Sequence, residues 1–428
     1  MFRLKNVEIK GFWGQYRIVT DFNEDVNIFI GRNGTGKTTF INLLQAVISV
    51  DLDLLYGLQF ESVTLNLIES NKSRKIEVTK VASELQYKEL QYQIGTKKFK
   101  LPILPASELR YLTKRSGRIH PKFFTDIQEI KSIISDLINV SYLSVSRDSL
   151  IREDSRDVRR EEIYNAIDLR LEDLIGQLTS YQLQLETELS KISKKFQEDV
   201  LRSMLFNVEF DNVDINEPVK PDLRRINIGL KQAYRGLGIL DEDTEKIIEK
   251  HVSAIEKAAI SINNYIEDRT KPVYPNDVTP LTLLRRTKRI NDLSSDLETS
   301  KKKILERLED YIKLLNDFHD TKDFTLQDSK VGGLAILKDG KNILLTQLSS
   351  GEKQLIILLT ETLLQKGKQT LFIADEPELS LHIEWQRQVI SSIRKLNPNS
   401  QVIVATHSPE IVGKFKDSTI NMEQIING

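Results

Sequence analysis

Residues 31–38 read GRNGTGKT: a glycine, four residues, then Gly-Lys-Thr. The apolar run VNIFI precedes them and the apolar-periodic FINLLQAVI follows, so strand, loop and helix are expected in that order. That spacing suits a phosphate. Glycines let backbone N–H groups close around the anion, the helix N-terminus adds positive potential, and a lysine reaches the terminal phosphates. The expected nucleotide-binding set is Gly31, Arg32, Asn33, Gly34, Thr35, Gly36, Lys37, Thr38 and Thr39, and the Thr38 hydroxyl is also placed to ligate Mg²⁺. ATP and Mg²⁺ are the cofactors implied, and Lys37 reads as an exposed loop charge.

Near the other end, LFIA at 371–374 reads as a buried strand running into Asp375 and Glu376. Two adjacent carboxylates on a strand beside a phosphate loop are what phosphoryl transfer requires. Asp375 is expected to share Mg²⁺ with Thr38, and Glu376 to polarise the attacking water. Residues 348–354, LSSGEKQ, open the apolar helix LIILLTETLL. Ser349 with Glu352 fits a capping box, and the N–H groups of Ser350 and Gly351 at the helix start are expected to face an anion.

Three stretches of different texture must position these residues. Up to about 145, short β-type runs (Val7 to Ile9, Val26 to Ile30, Val63 to Leu67, Ile76 to Val78) alternate with turns. From about 150 the chain is charged and helical. One apolar stripe passes through positions 163, 167, 171, 174, 178, 181, 185, 189, 192 and 196, and a second runs from Ile290 to Phe318. Two such helices are expected to pack antiparallel. Between them a helical stretch from about 222 to 268 and a loop containing Pro272, Pro275 and Pro280 form a small subdomain. After about 325 the mixed texture returns. The expected division is an N-terminal lobe over 1–149, a helical, short coiled-coil insertion over 150–324 and a C-terminal lobe over 325–428, giving an α/β head split by an arm.

With LSSGEKQ, DEPELSLH and THSP in this order after the phosphate loop, the chain resembles the ATP-binding-cassette superfamily. The resemblance implies a head with a mixed sheet, and Ser349, Ser350, Gly351 and Glu352 at the signature that meets a facing subunit's nucleotide. It also makes His407 the switch histidine beside the γ-phosphate; taken alone, a histidine after a strand reads as structural. The long separation of phosphate loop and signature is similar to the Rad-fifty-like, RecF-like and OLD-like branch. Zero cysteines exclude a zinc hook at the arm tip, and the sequence after His407 is too short for a Toprim domain, so no nuclease of its own is expected.

The chain looks like the ATPase subunits of bacterial anti-phage systems. PARIS-type systems pair one with a Toprim nuclease; Septu-type and certain retron systems pair one with an HNH nuclease. PARIS is the nearest in its compact chain and short arm. The resemblance thus implies a head-to-head dimer or higher homo-oligomer, a separate nuclease effector and a phage protein as trigger. The alternative is a repair or recombination ATPase that clamps DNA. The superfamily's glutamine loop has no glutamine here, and Arg147 or Asp148 stands in that region.

Composition narrows the rest. The 428 residues carry 61 Lys and Arg against 62 Asp and Glu, a net charge of −1 that argues against coating nucleic acid by bulk charge. A basic stretch runs over Lys97, Lys98, Lys100, Arg110, Lys114, Arg115, Arg118 and Lys122 with one acid, Glu108. It reads first as a solvated loop and second as a contact for DNA or an acidic partner. The KKK at 301–303 reads as a solvated helix face. No apolar run is long enough to span a membrane, and the N-terminus is charged where a signal peptide is apolar. A soluble cytoplasmic protein is expected.

Overall fold

The computed structural model describes residues 1–81, 89–103, 122–143, 166–205, 217–327 and 332–427. The chain opens with β1 (Arg3–Phe12), β2 (Tyr16–Asp21), β3 (Val26–Ile30), α1 (Lys37–Ser49) and α2 (Leu52–Gly57). Strands β4 (Ser62–Glu69), β5 (Lys72–Val81), β6 (Glu89–Ile94) and β7 (Lys97–Pro102) follow, then α3 (Lys122–Leu137) and β8 (Val140–Leu143). The helical middle holds α4 (Ala166–Ser203), α5 (Leu223–Gly236), α6 (Glu242–Glu267) and α7 (Pro275–Phe318). The last part contains β9 (Asp323–Leu326), β10 (Leu334–Lys338), β11 (Lys341–Asn342), α8 (Ser350–Leu364) and β12 (Thr370–Asp375). It ends with α9 (Ile383–Leu396), β13 (Ser400–Ala405), α10 (Pro409–Val412), β14 (Thr419–Asn421) and α11 (Met422–Asn427).

Parallel and antiparallel strands lie in separate sheets. The six-stranded sheet, ordered β2-β1-β4-β5-β6-β7, is antiparallel throughout. Its strands alternate: Val7 and Ile9 are buried, while Glu8 is half-buried and Lys10 exposed. The five-stranded sheet, ordered β14-β3-β13-β12-β8, is parallel at every pairing. Here VNIFI, TLFIA and SQVIVA are apolar runs buried on both faces, as parallel strands covered by helices require. Gln401, 1% exposed, ties β13 to β1: its amide accepts from Leu4 N–H (2.9 Å) and donates to Leu4 O (2.7 Å).

The molecule divides into two compact units. The first comprises Met1–Thr179 with Asp310–Gly428, the second Ser180–Glu309, and the divisions fall inside α4 and α7. In the second unit Ile226, Leu230, Ile248, Val252, Ile255 and Ile262 form a core of their own. Both apolar stripes are realised: Leu171, Leu174, Leu178, Tyr181, Leu185 and Phe196 of α4 are buried, as are Leu297, Leu308, Tyr311, Leu315 and Phe318 of α7. Ile163 lies outside the described residues, as do Glu108, Arg110, Lys114, Arg115, Arg118, Arg147 and Asp148.

The expected helical stretch from 222 to 268 holds two helices, parted where Gly238 takes φ +76°. One expectation about the middle needs correction. The proline loop is shorter than expected, because Pro275 already begins α7 and Pro280 lies inside it. A proline needs no N–H in a first turn, and the Thr279 hydroxyl donates to Pro275 O at 3.0 Å beside the second one. Of the KKK run, Lys302 and Lys303 are exposed and Lys301 pairs with Glu298 at 3.1 Å.

Candidate functional site

The register of the parallel sheet brings the distant motifs together. Asp375 pairs with Ala405, and Ala405 with Phe29, so β12, β13 and β3 end level. The phosphate loop leaves β3, Asp375 and Glu376 leave β12, and His407 leaves β13, all at the carboxyl edge where open parallel sheets bind ligands. A cleft of about 310 Å³ there is lined by Trp13, residues 33–39, Glu376 and His407.

The loop is fixed by backbone conformations that favour glycine. Gly31, Gly34 and Gly36 have φ of +151°, +79° and +87°, and a Cβ on Gly36 would sit 3.0 Å from the rings of Phe12 and Trp13. No side chain caps α1 at Gly36, which leaves first-turn N–H groups open for an anion. Phe40 of α1 packs at a tilt against Phe29 of β3 with ring centres 4.7 Å apart, anchoring the helix to the strand.

Lys37 is buried rather than exposed. Its ammonium donates to Gly31 O (2.8 Å) and Arg32 O (3.1 Å), folded back over the loop. Burial lowers its pKa below the lysine range, against the pull of Glu376 and Asp375. Thr35 braces the same turn by donating to Arg32 O at 2.8 Å, while Arg32 itself points outward, 3.9 Å from Glu423. Thr38 is exposed, and its hydroxyl favours the charged form of Asp375.

Burial raises the Asp375 pKa and the neighbouring Glu376 and Glu378 add to the rise, while Thr38 and Lys37 oppose it. Asp375 Oδ1 is buried and has no hydrogen-bond partner among the described residues. An orphaned carboxylate oxygen beside a hydroxyl fits a divalent cation. Two protein ligands suit Mg²⁺, which keeps waters and phosphate oxygens in its shell. Glu376 takes φ +47° and is held there by its N–H bond to Ala405 O at 2.8 Å. Its carboxylate lies 3.7 Å from His407 Nε2, and both side chains are about one-third exposed (32% and 37%).

The signature residues do not join this cleft. Ser349 and Glu352 form the capping box: Ser349 N–H donates to Glu352 Oε2 (2.8 Å), and Ser349 Oγ accepts from Glu352 N–H (3.3 Å). Ser349 and Ser350 are exposed, but Gly351 is buried against the chain's own Ser380 carbonyl, where a Cβ would stand 2.3 Å away. Glu352 turns inward to the Lys322 ammonium. Burial disfavours its charge, yet Lys322 and the Ser349 bonds more than offset this and hold it below the usual carboxylate range. Within the chain Glu352 thus caps α8 and pairs with Lys322.

Trp13 escaped the sequence reading. Only its ring against Gly36 identifies it as a wall of the cleft, and its φ of +54° is unusual for a bulky residue. Among the described residues no helix is long and apolar enough to cross a membrane.

The family model described as "AAA ATPase domain" matches residues 2–412. "Retron Ec83 probable ATPase" of Escherichia coli is 22% identical over 96% of this chain and 69% of its own length. "DNA replication and repair protein RecF" of Streptococcus uberis is 25% identical over 48% of this chain and 61% of its own length. Among solved structures, the Smc head domain with an extended coiled coil from Pyrococcus furiosus covers 100% of this chain and 95% of its own. Its identity is 15% and its TM-score 0.45.

Proposed function

Because the chain belongs to the AAA ATPase domain family and is an ATPase, we propose that it is the regulatory ATPase of an anti-phage defence system. In this reading it binds ATP with Mg²⁺ in the cleft, works as a head-to-head homo-oligomer and holds a separate Toprim or HNH nuclease until a phage protein triggers release. The similarity to a retron ATPase along nearly the whole chain supports the system class.

Lys37 would swing from the Gly31 and Arg32 carbonyls to phosphate oxygens, gaining a stronger acceptor for a charge that burial disfavours. Thr38 and Asp375 would hold Mg²⁺, which when bound neutralises phosphate charge. Glu376 accepts the proton of the attacking water, and His407, beside it, orients or donates to the oxygen that gains charge.

One observation carries the oligomer: Ser350 sits exposed at a helix N-terminus but is not among the residues lining its own chain's cleft. A second head supplies the missing partner, with Lys37 of one chain and Ser350 of the other on one phosphate. Mixing Lys37→Ala with Ser350→Arg protein tests this. Each alone should be inactive, and subunit exchange should restore part of the turnover, because one composite site keeps both groups. Exchanged mixtures that stay dead, while a mixture with wild type stays active, would refute it. ATP-dependent co-purification with the product of an adjacent reading frame tests the effector.

The RecF similarity favours a second reading, a clamp on DNA. DNA affinity that rises with ATP and falls steeply with salt would select it.

A further inference from the structure

Glu378 has no place in the cleft, yet it is the most heavily engaged acid near it. The residue is 8% exposed. Its Oε1 accepts from the Thr406 hydroxyl, from His407 N–H at 2.8 Å and from Ser408 N–H at 3.2 Å. Its Oε2 is buried and accepts from no described residue. One oxygen thus gathers three donors of the turn that carries His407, and Ser408 N–H is shared with Thr406 Oγ1 at 2.9 Å.

The turn has little other freedom. Thr406 is 1% exposed, and Ser408 donates to Gln386 Oε1 (2.6 Å) while capping α10 at Glu410 N–H (3.2 Å). Only the His407 side chain stands out, towards Glu376. Pro377 alone separates Glu376 from Glu378. The same short segment, closed by Leu379 N–H to Glu376 O (3.1 Å) and Leu381 N–H to Glu378 O (2.9 Å), therefore aims one carboxylate into the cleft and the next back beneath the histidine turn.

We propose that Glu378 is a positioning residue for ATP hydrolysis: it fixes the backbone of Thr406–Ser408 so that the His407 imidazole is presented beside Glu376. Three donors converging on one point need an acceptor with concentrated negative charge, which a carboxylate oxygen supplies and a neutral side chain supplies less well. The proposal rests on the reading of Glu376 and His407 as the catalytic pair.

The test measures ATP turnover and equilibrium nucleotide affinity on the full chain. Glu378→Ala should lower kcat by roughly 10²-fold through misplacement of the imidazole. Affinity should stay within about threefold, since the phosphate loop is untouched. Glu378→Gln should recover part of the turnover: its amide oxygen replaces Oε1 as a weaker, uncharged acceptor, while burying its NH₂ at the Oε2 position costs stability. Adding His407→Ala to Glu378→Ala should cost less than about twofold beyond His407→Ala alone, because the two act through one group. Thr406→Val, which removes one donor at constant shape, should show the same non-additivity with His407→Ala and decides the matter if Glu378→Ala does not fold.

Near wild-type turnover in Glu378→Ala, a glutamine variant no better than alanine, or losses that multiply in the double variant would overturn the positioning role. If His407→Ala itself turns over normally, the reading of His407 falls and the proposal with it. If His407→Ala is slow and Glu378→Ala is not, only the proposal falls.

Discussion

Gly351→Ala sets helix propensity against crowding at the signature helix. Within a helix this change ordinarily stabilises by about 0.5–1 kcal/mol, because alanine loses less backbone entropy. Here the new Cβ would meet Ser380 O at 2.3 Å, Ser380 C at 3.3 Å and Leu381 Cα at 3.8 Å. Ordinary contact begins more than roughly 1 Å farther out from that oxygen. All three neighbours are backbone, so no flexible side-chain end can give way, and Ser380 already holds φ +69°. Overpacking of this kind costs about 1–3 kcal/mol. Crowding therefore wins, with a net loss of about 1–2 kcal/mol and a fall of roughly 1–3 °C in melting temperature. Turnover should fall as well, since Ser380 lies on the segment that carries Glu376. Thermal melting and an ATPase assay measure both, with Ser350→Ala, on an exposed position, as a control expected within about 0.5 kcal/mol of wild type. A Gly351→Ala protein that melts at or above wild type and keeps full turnover would show that the Ser380 carbonyl does not constrain this helix.

Glu376→Gln should keep nucleotide affinity within a few fold while hydrolysis drops by roughly 10²-fold or more, since the amide cannot take the water's proton; normal turnover would move the base elsewhere. Asp375→Asn should abolish Mg²⁺-dependent hydrolysis yet raise the melting temperature of the nucleotide-free protein at neutral pH. The sign follows from the raised folded pKa: native Asp375 binds its proton more tightly than the unfolded chain, so its contribution is present below the unfolded pKa and lost as pH rises through the folded one. The stability gap between variant and wild type should accordingly close as the pH falls through the carboxylate range, and a gap that widens there would contradict the assignment. Trp13→Ala should weaken nucleotide affinity by about tenfold if its ring contributes a stacking face, and unchanged affinity in a binding titration would dismiss that role.

The sequence by itself determined whatever is built from consecutive residues. GRNGTGKT specifies a tight loop ahead of a helix because the unusual backbone conformations it needs fall on its own glycines. Ser349 and Glu352 specify a helix start because a capping box spans four positions, and runs such as VNIFI and QVIVA report strands buried on both faces. The α4 stripe was legible for the same reason, each apolar residue falling one helical turn from the last. Tertiary structure decided everything that depends on strand order. Level ends of β3, β13 and β12 put Lys37, Glu376 and His407 around one cleft, and the packing of that edge buried Lys37. The stand of Trp13 against Gly36, the turning-in of Glu352 to Lys322 and the gathering of Thr406, His407 and Ser408 on Glu378 were equally invisible in the linear order. Each joins residues that periodicity and motif spacing leave unrelated, and only the closing of the parallel sheet brings their polar groups close enough, and far enough from water, to need one another.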